Sequence, residues 1–437
     1  MKRLGGLAAL APTVVVLFLG STPEPISPAA TVFVQGVVFG LAAVLALERR
    51  TLLGDAVACL LLTLAVAAFS LGLPFVVTAG ILVLLSPGGM RRLWVVAIPA
   101  ILYLAWFVWA RQFDEHTQSL ANILLLPTFA ADSLASGAGA LAGLSTNLTG
   151  SGRADAGWGR IIVVPVLVGV ALGIRRRGVS PPMLAFIAFL AVLWTVGVLN
   201  TGFLRTPGEP RYGYPVAIGI VLVLGEAFRE MRMTRSIFIA LLAFTIFAVP
   251  GNLAELRKLG AANRVQSGDV RAKLAVIELE RERIRPGLSG GRTLPVRTGA
   301  YLNAADRYGS LAFSLPELRR QPAATRRHAD QLLGQILRPR VVPTGRTPVS
   351  GCRTLSSATG PVVFSLPRAG VLPRSQTPAP VRLRRFGDHF TVQAGMLLPN
   401  RSGALGNPSD SATDPWFVMV GARRPVTVCP LTPTAAR

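Results

Sequence analysis

The chain has 437 residues, 51% of them hydrophobic and 15% charged, which is too apolar for a soluble protein of this size and gives room for two or three domains. The formal net charge of +24 is unevenly spread, because 28 of the 45 basic residues follow Pro250, against 11 acidic ones. Only three of the basic residues are lysines (Lys2, Lys258, Lys273), and no basic helix interleaved with aromatics occurs. That argues against nucleic acid as a partner and in favour of a membrane or envelope surface.

Lys2 and Arg3 precede an apolar run from Leu4 to Gly20, which suits a signal peptide or a first membrane helix. A small-x-small cleavage site is poorly formed after Phe18-Leu19-Gly20-Ser21, so a retained helix is expected. Further apolar runs cover Thr31–Leu47, Leu52–Phe69, Leu73–Leu85, Leu93–Trp109, Ile161–Ile174, Met183–Leu199, Pro215–Phe228 and Ile237–Val249. This predicts an all-α multi-pass bundle of about nine spans over residues 1–250, some of them short for a hydrocarbon core of about 30 Å.

Basic residues on alternate loops set the orientation. Twelve (Lys2, Arg3, Arg49, Arg50, Arg91, Arg92, Arg175, Arg176, Arg177, Arg229, Arg232, Arg235) fall on one side, against Arg111, Arg153, Arg160, Arg205 and Arg211 on the other. The first side is therefore expected to be cytoplasmic, with the C-terminal part outside a plasma membrane. The interval 118–148 is rich in Ala, Gly, Ser and Thr and is broken by Pro127, so it is expected to form outer interfacial helices, with Leu120, Ile123 and Leu124 on one face.

After Pro250 the composition shifts to Arg, Pro and Gly. Leu253–Ile284 is expected to be helical in two pieces broken near Gly268, with Val270, Leu274, Ile277 and Ile284 as its stripe. Ser314-Leu-Pro-Glu317 fits a capping box ahead of a helix that carries Leu332, Leu333, Ile336 and Leu337. Strands are expected at Val362–Leu366, Val381–Arg384, Phe390–Ala394, Trp416–Val420 and Val426–Cys429. Residues 251–345 thus read as an extracytoplasmic helical region, and 346–437 as a β-rich domain with a small antiparallel unit. Cys352 and Cys429 bracket that unit on the side expected to be oxidising, which suits a disulfide, whereas Cys59 lies within a span.

No Walker loop, dinucleotide fingerprint, zinc spacing or nucleophile elbow occurs, and the three histidines are scattered. Two polar sets remain at outer helix mouths. In Arg111-Gln-Phe-Asp114-Glu115-His116, adjacent carboxylates beside an imidazole suit activation of a hydroxyl, or a divalent cation bridging a phosphate. A solvated helix end accounts for them equally well. The second set is Arg205, Glu209, Arg211, Tyr212 and Tyr214, residue types that grip a phosphate or carboxylate and stack on a sugar, or that anchor a helix among lipid headgroups.

The short spans with basic turns, Ser70-Leu-Gly-Leu-Pro-Phe75 at an outer hairpin and Arg211-Tyr212 just before a late span resemble the second half of membrane glycosyltransferases of the GT-C type. Thr298-Gly-Ala-Tyr301-Leu-Asn-Ala-Ala-Asp306-Arg307-Tyr308 and Arg327-His-Ala-Asp330 are similar to the tails of a group of bacterial multi-pass proteins. The resemblance implies transfer of a sugar from a polyprenyl-phosphate donor to an envelope glycan at the outer face, with Arg211 and Tyr212 contacting the donor phosphate. That family places a base carboxylate in the first outer loop, where this chain offers only Glu24, so Asp114 and Glu115 are the candidates to replace it. The competing expectation is a non-catalytic envelope scaffold that binds glycan or a partner through Trp416, Phe386 and the Arg382–Arg385 strand.

Overall fold

The computed structural model describes residues 6–20, 31–112, 119–145, 147–148, 153–154, 156–200, 206–229, 231, 234–288, 296–344, 351–357, 360–408, 412–422 and 424–431. They divide into two compact units, Met1–Gly260 and Ala261–Arg437.

In the first unit the Leu-, Val- and Ala-rich runs form helices, which satisfy their backbone groups internally. In order these are α1 (Gly6–Leu17), α2 (Thr31–Leu47), α3 (Leu52–Ala68), α4 (Gly72–Leu84), α5 (Trp94–Ala110), α6 (Leu126–Leu141), α7 (Gly157–Arg177), α8 (Pro181–Leu199), α9 (Pro210–Ala227) and the start of α10 (Arg235–Leu279). A 3-10 turn, Leu120–Leu125, leads into α6, and the two-residue strands β1 (Asn147–Leu148) and β2 (Arg153–Ala154) pair between α6 and α7. Boundaries follow local chemistry. Thr51 caps α3 by accepting from the Gly54 N–H at 3.0 Å, and Ser180 caps α8 ahead of Pro181 and Pro182, whose missing N–H groups cost nothing in the first turn.

α2 packs on α3 and α4, α4 on α8, α8 on α9, and α6 on α7, α8 and α9. Phe75 and Phe189 meet at the centre with ring centroids 4.7 Å apart. Large apolar side chains also cover the outside: Ile101, Leu104 and Val108 of α5, Ile161, Val164 and Leu167 of α7, and Ile239, Ile246 and Phe247 of α10 are exposed. Among the described residues four helices are long and apolar enough to cross a membrane: Leu120–Leu141, Gly157–Arg177, Pro181–Leu199 and Arg235–Leu279. The apolar helices Val32–Leu47, Leu52–Ala68, Gly72–Leu84, Trp94–Ala110 and Tyr212–Ala227 are shorter.

Both ends of the 119–143 segment meet the same ends of its neighbours. At its start, Ser119 N–H donates to Leu199 O at 3.1 Å at the close of α8, and Phe129 lies edge-on to Tyr212 at the opening of α9. At its close, Gly139 adjoins Gly159 near the start of α7, and Ala140 O accepts from Asn252 Nδ2 at 2.9 Å. A Cβ at Gly159 would overlap the Ala135 carbonyl, so glycine permits this approach. These contacts lie at the helix ends away from Arg175–Arg177.

α10 runs unbroken through Pro250 and Gly268, where the sequence suggested a stop and a break. Pro250 removes one helical N–H, and an isolated glycine costs about 1 kcal/mol. Neither ends the helix, which is anchored at two places and largely exposed between them: Ala248 is fully buried in the first unit, and Ala272, Val276 and Ile277 are buried in the second.

The second unit continues with α11 (Thr298–Tyr308), α12 (Leu315–Arg320) and α13 (Ala323–Leu337). The capping box is present, with Glu317 Oε2 accepting from Ser314 N–H at 2.9 Å. Strands follow: β3 (Val341–Thr344), β4 (Arg353–Leu355), β5 (Val362–Leu366), β6 (Val371–Ser375), β7 (Ala379–Arg384), β8 (Val392–Leu397), β9 (Ser402–Leu405), β10 (Trp416–Val420) and β11 (Val426–Pro430). They form two antiparallel sheets, ordered β5-β10-β7-β8 and β3-β9-β6-β11-β4, more extensive than the small unit anticipated. Alternation in β7 and β10 sends Val381, Leu383, Trp416, Val418 and Val420 into one core with Leu318 and Leu332 of the helices. A disulfide joins Cys352 to Cys429, and Cys59 is a buried free thiol.

Candidate functional site at the mouth of helices α8 and α9

Arg111 caps α5, exposed, with its guanidinium 5.6 Å from the centre of the Phe107 ring. Asp114, Glu115 and His116 lie outside the described residues, as does Arg205. The flanks of those two stretches nevertheless come together, because Ser119 and Leu199 share the 3.1 Å hydrogen bond noted above. Asn200 then folds back, with Nδ2 donating to Val196 O at 2.9 Å.

Across this point α9 begins. Glu209 is its N-cap residue, with its carbonyl accepting from Tyr212 N–H at 2.9 Å and Gly213 N–H at 3.0 Å, and Pro210 fills the first helical position. Arg211 occupies the first turn. A helix N-terminus carries partial positive charge that favours an anion. Tyr212 and Tyr214 are buried, and Tyr212 packs edge-to-face on Phe129 at 5.8 Å. The Tyr212 ring therefore holds α6 and α8 against α9, and neither buried ring offers an open face for a sugar. Asp132 pairs with Arg160 at 3.0 Å at the exposed α6–α7 contact. Among the described residues no group of three His, Cys, Asp or Glu side chains could hold a metal ion.

Two buried polar arrangements stand out in this unit; the sequence marks Asp55 as a snorkelling or helix-packing carboxylate at the entrance of its span, without its partner. Asp55, at the start of α3, receives Nε and Nη2 of Arg92 at 2.8 and 2.5 Å, and Arg92 also donates to Leu47 O. Asn252 accepts from Gly20 N–H at 2.8 Å and donates to Ala140 O and Ala248 O, joining α1, α6 and α10. The basic pair Arg91-Arg92 hinted at the first only as a topology signal. A lone Asn just past Pro250 carried no hint of the second.

A cavity of about 290 Å³ opens at the other end of the unit, between the close of α7, the start of α8 and the close of α9. This cavity thus lies away from the polar mouth.

In the second unit the charged residues serve the fold. Asp330 is buried and accepts the N–H groups of Arg385, Phe386 and Gly387 at 3.0, 2.8 and 2.9 Å. Burial pushes its carboxyl up, against the pull of those three donors. Arg385 donates to Asp414 O and Ala412 O, and burial lowers its pKa. Asp414, bound by Arg319 at 2.7 and 2.8 Å, is held below the usual carboxylate range. Trp416 and Phe386 are 1% and 4% exposed, so the scaffold reading loses both as a glycan platform.

Comparison with family models, with characterised proteins and with solved structures finds no match.

Proposed function

We propose that the chain is an integral plasma-membrane protein with nine crossings, a cytoplasmic N-terminus and an extracytoplasmic C-terminal unit, acting as a glycosyltransferase of the GT-C type. It moves a sugar from a lipid-phosphate donor to an envelope acceptor. The apolar perimeter of α5, α7 and α10 supports insertion, since an exposed apolar surface of this extent is not sustained in water. The shorter helices, of 12 to 17 residues, fit by local thinning of the bilayer. Residues 119–143 meet the same helix ends on entry and exit, which supports an odd number of crossings and keeps the arginine clusters on one side. The Cys352–Cys429 disulfide suits an oxidising compartment for the C-terminal unit.

The observation that carries the transferase reading is the Ser119–Leu199 hydrogen bond. It joins Ser119, three positions after the Asp114-Glu115-His116 run, to Leu199 at the close of α8, from which the chain leads through Arg205 to Glu209 and Arg211 of α9. A carboxylate to take the acceptor proton and guanidiniums to hold the leaving phosphate are the two functions that such a transfer requires. A divalent cation on the carboxylates would assist the same step.

The test is transfer from a polyprenyl-phosphate sugar in membranes containing Asp114→Ala, Glu115→Ala or Arg211→Ala. Loss of a general base lowers transfer about 100-fold or more, and at least one carboxylate variant is expected to reach that. Full transfer in both, and in Glu24→Ala, would leave a non-catalytic envelope scaffold in place of the enzyme.

A further inference from the structure

The cavity at the arginine-rich end is built by three helices. α7 stops at Gly178, whose φ of +72° is the left-handed conformation that glycine adopts at a helix end. Gly173 lets α7 touch the backbone of Ala227 in α9, closing the space above the turn. Its polar lining is Arg177, Ser180, Glu226 and Arg229.

The donors at this spot can be accounted for. Pro181 and Pro182 have no N–H, Met183 N–H goes to Ser180 Oγ at 3.3 Å, and Leu184 N–H goes to Ser180 O at 3.0 Å. The start of α8 thus contributes partial positive charge and no N–H donor of its own. Glu226, with its side chain 3% exposed, accepts from Ser180 Oγ at 2.7 Å and from Arg229 Nη1 at 2.9 Å, which fixes Arg229 along one wall. Arg177 also lines the cavity, so the lining holds two arginines and one glutamate, a net positive set. A guanidinium carries five N–H donors in a planar fork that matches phosphate oxygens.

We propose that this cavity binds the phosphate of an anionic lipid headgroup. The cavity volume of about 290 Å³ leaves room for a phosphodiester with its glycerol. A lipid source is favoured over a soluble phosphate because exposed apolar residues of α7, Val168 and Leu172, lead away from the cavity and give the acyl chains a track. The proposal rests on the membrane orientation proposed above and is independent of the transferase activity.

The experiment is binding of phosphatidylglycerol to the purified full chain in neutral detergent, measured by native mass spectrometry for wild type, Arg177→Gln and Arg177→Lys. Arg175→Gln is the control, since Arg175 is exposed on the same helix end and does not line the cavity. Arg177→Gln is expected to bind about tenfold more weakly, as loss of one charged hydrogen-bonding group predicts, with partial recovery in Arg177→Lys and no change in Arg175→Gln. Equal binding in all four forms would overturn the proposal, as would preference for inorganic phosphate over phosphatidylglycerol. Val179 is exposed beside the cavity, and labelling of Val179→Cys from outside intact cells would overturn the orientation whatever the lipid result.

Discussion

Residues 1–260 carry many apolar side chains on their outside as well as inside, whereas residues 261–437 expose far fewer and show arginine to solvent. The buried polar groups differ in the same direction. In the first unit two buried ion pairs, Asp55 with Arg92 and Glu226 with Arg229, sit close to helix ends, where a charge remains near water or headgroups. In the second, polar groups run into the core, where Asp330 satisfies three backbone donors and Arg385 lies over the rings of Phe386 and Trp416. A helical bundle satisfies its own backbone, so it needs few polar side chains within. A two-sheet fold with long connections leaves loop N–H groups that a buried carboxylate must take up.

Disrupting the second unit alone should break this contrast most visibly. Reduction of Cys352–Cys429 opens a crosslink of 77 residues, and loss of such a bond costs about 2–5 kcal/mol. In full-length protein, reductant is expected to make residues 296–431 open to proteolysis at their arginines while the helical unit stays protected. Simultaneous cleavage of both units would show that they unfold as one. Asp330→Ala should act nearly as strongly, by about 2–4 kcal/mol, since it strands three buried donors together. Asp330→Asn keeps acceptor capacity on one oxygen and should cost less.

The matching test in the first unit is Arg92→Ala. It leaves Asp55, 5% exposed, without its bidentate partner, and the expected cost is about 2–3 kcal/mol, less than for a pair deep in a core because Asp55 lies near a helix end. Arg92→Ala with Asp55→Asn should restore most of the loss in thermal unfolding in detergent. No restoration would mean that Arg92 acts chiefly through Leu47 O and Ser86.

The contrast also decides what was legible. Apolar runs announce helices, so α2 and α3 begin and end within a residue of the hydropathy limits. Strands with clean alternation, β5 and β10, were equally plain. β3 and β6 were not, because Pro343 and Pro373 argue against strands, and β6 tolerates Pro373 where its pairing with β9 is interrupted between Val371 and Arg374. At the candidate site the residue types were readable but their burial was not. Tyr212 and Tyr214 read as ligands or as headgroup anchors, and both are buried, Tyr212 against Phe129, more than eighty positions earlier in the chain.

The smallest effect belongs to Tyr301, whose hydroxyl donates to Glu278 Oε1 at 2.6 Å at the base of the second unit. Burial and that carboxylate raise its pKa to about 12. A phenol whose folded pKa is raised contributes stability that is complete below about pH 10, the unfolded value, and is lost as pH rises through about 12. Tyr301→Phe should therefore cost about 1 kcal/mol or less at neutral pH, with the group partly screened by solvent, and should flatten the alkaline limb of the stability curve. Chemical denaturation of wild type and variant at pH 8 and pH 11 measures both. If the two proteins lose stability in parallel over that interval, Tyr301 does not set the alkaline limb.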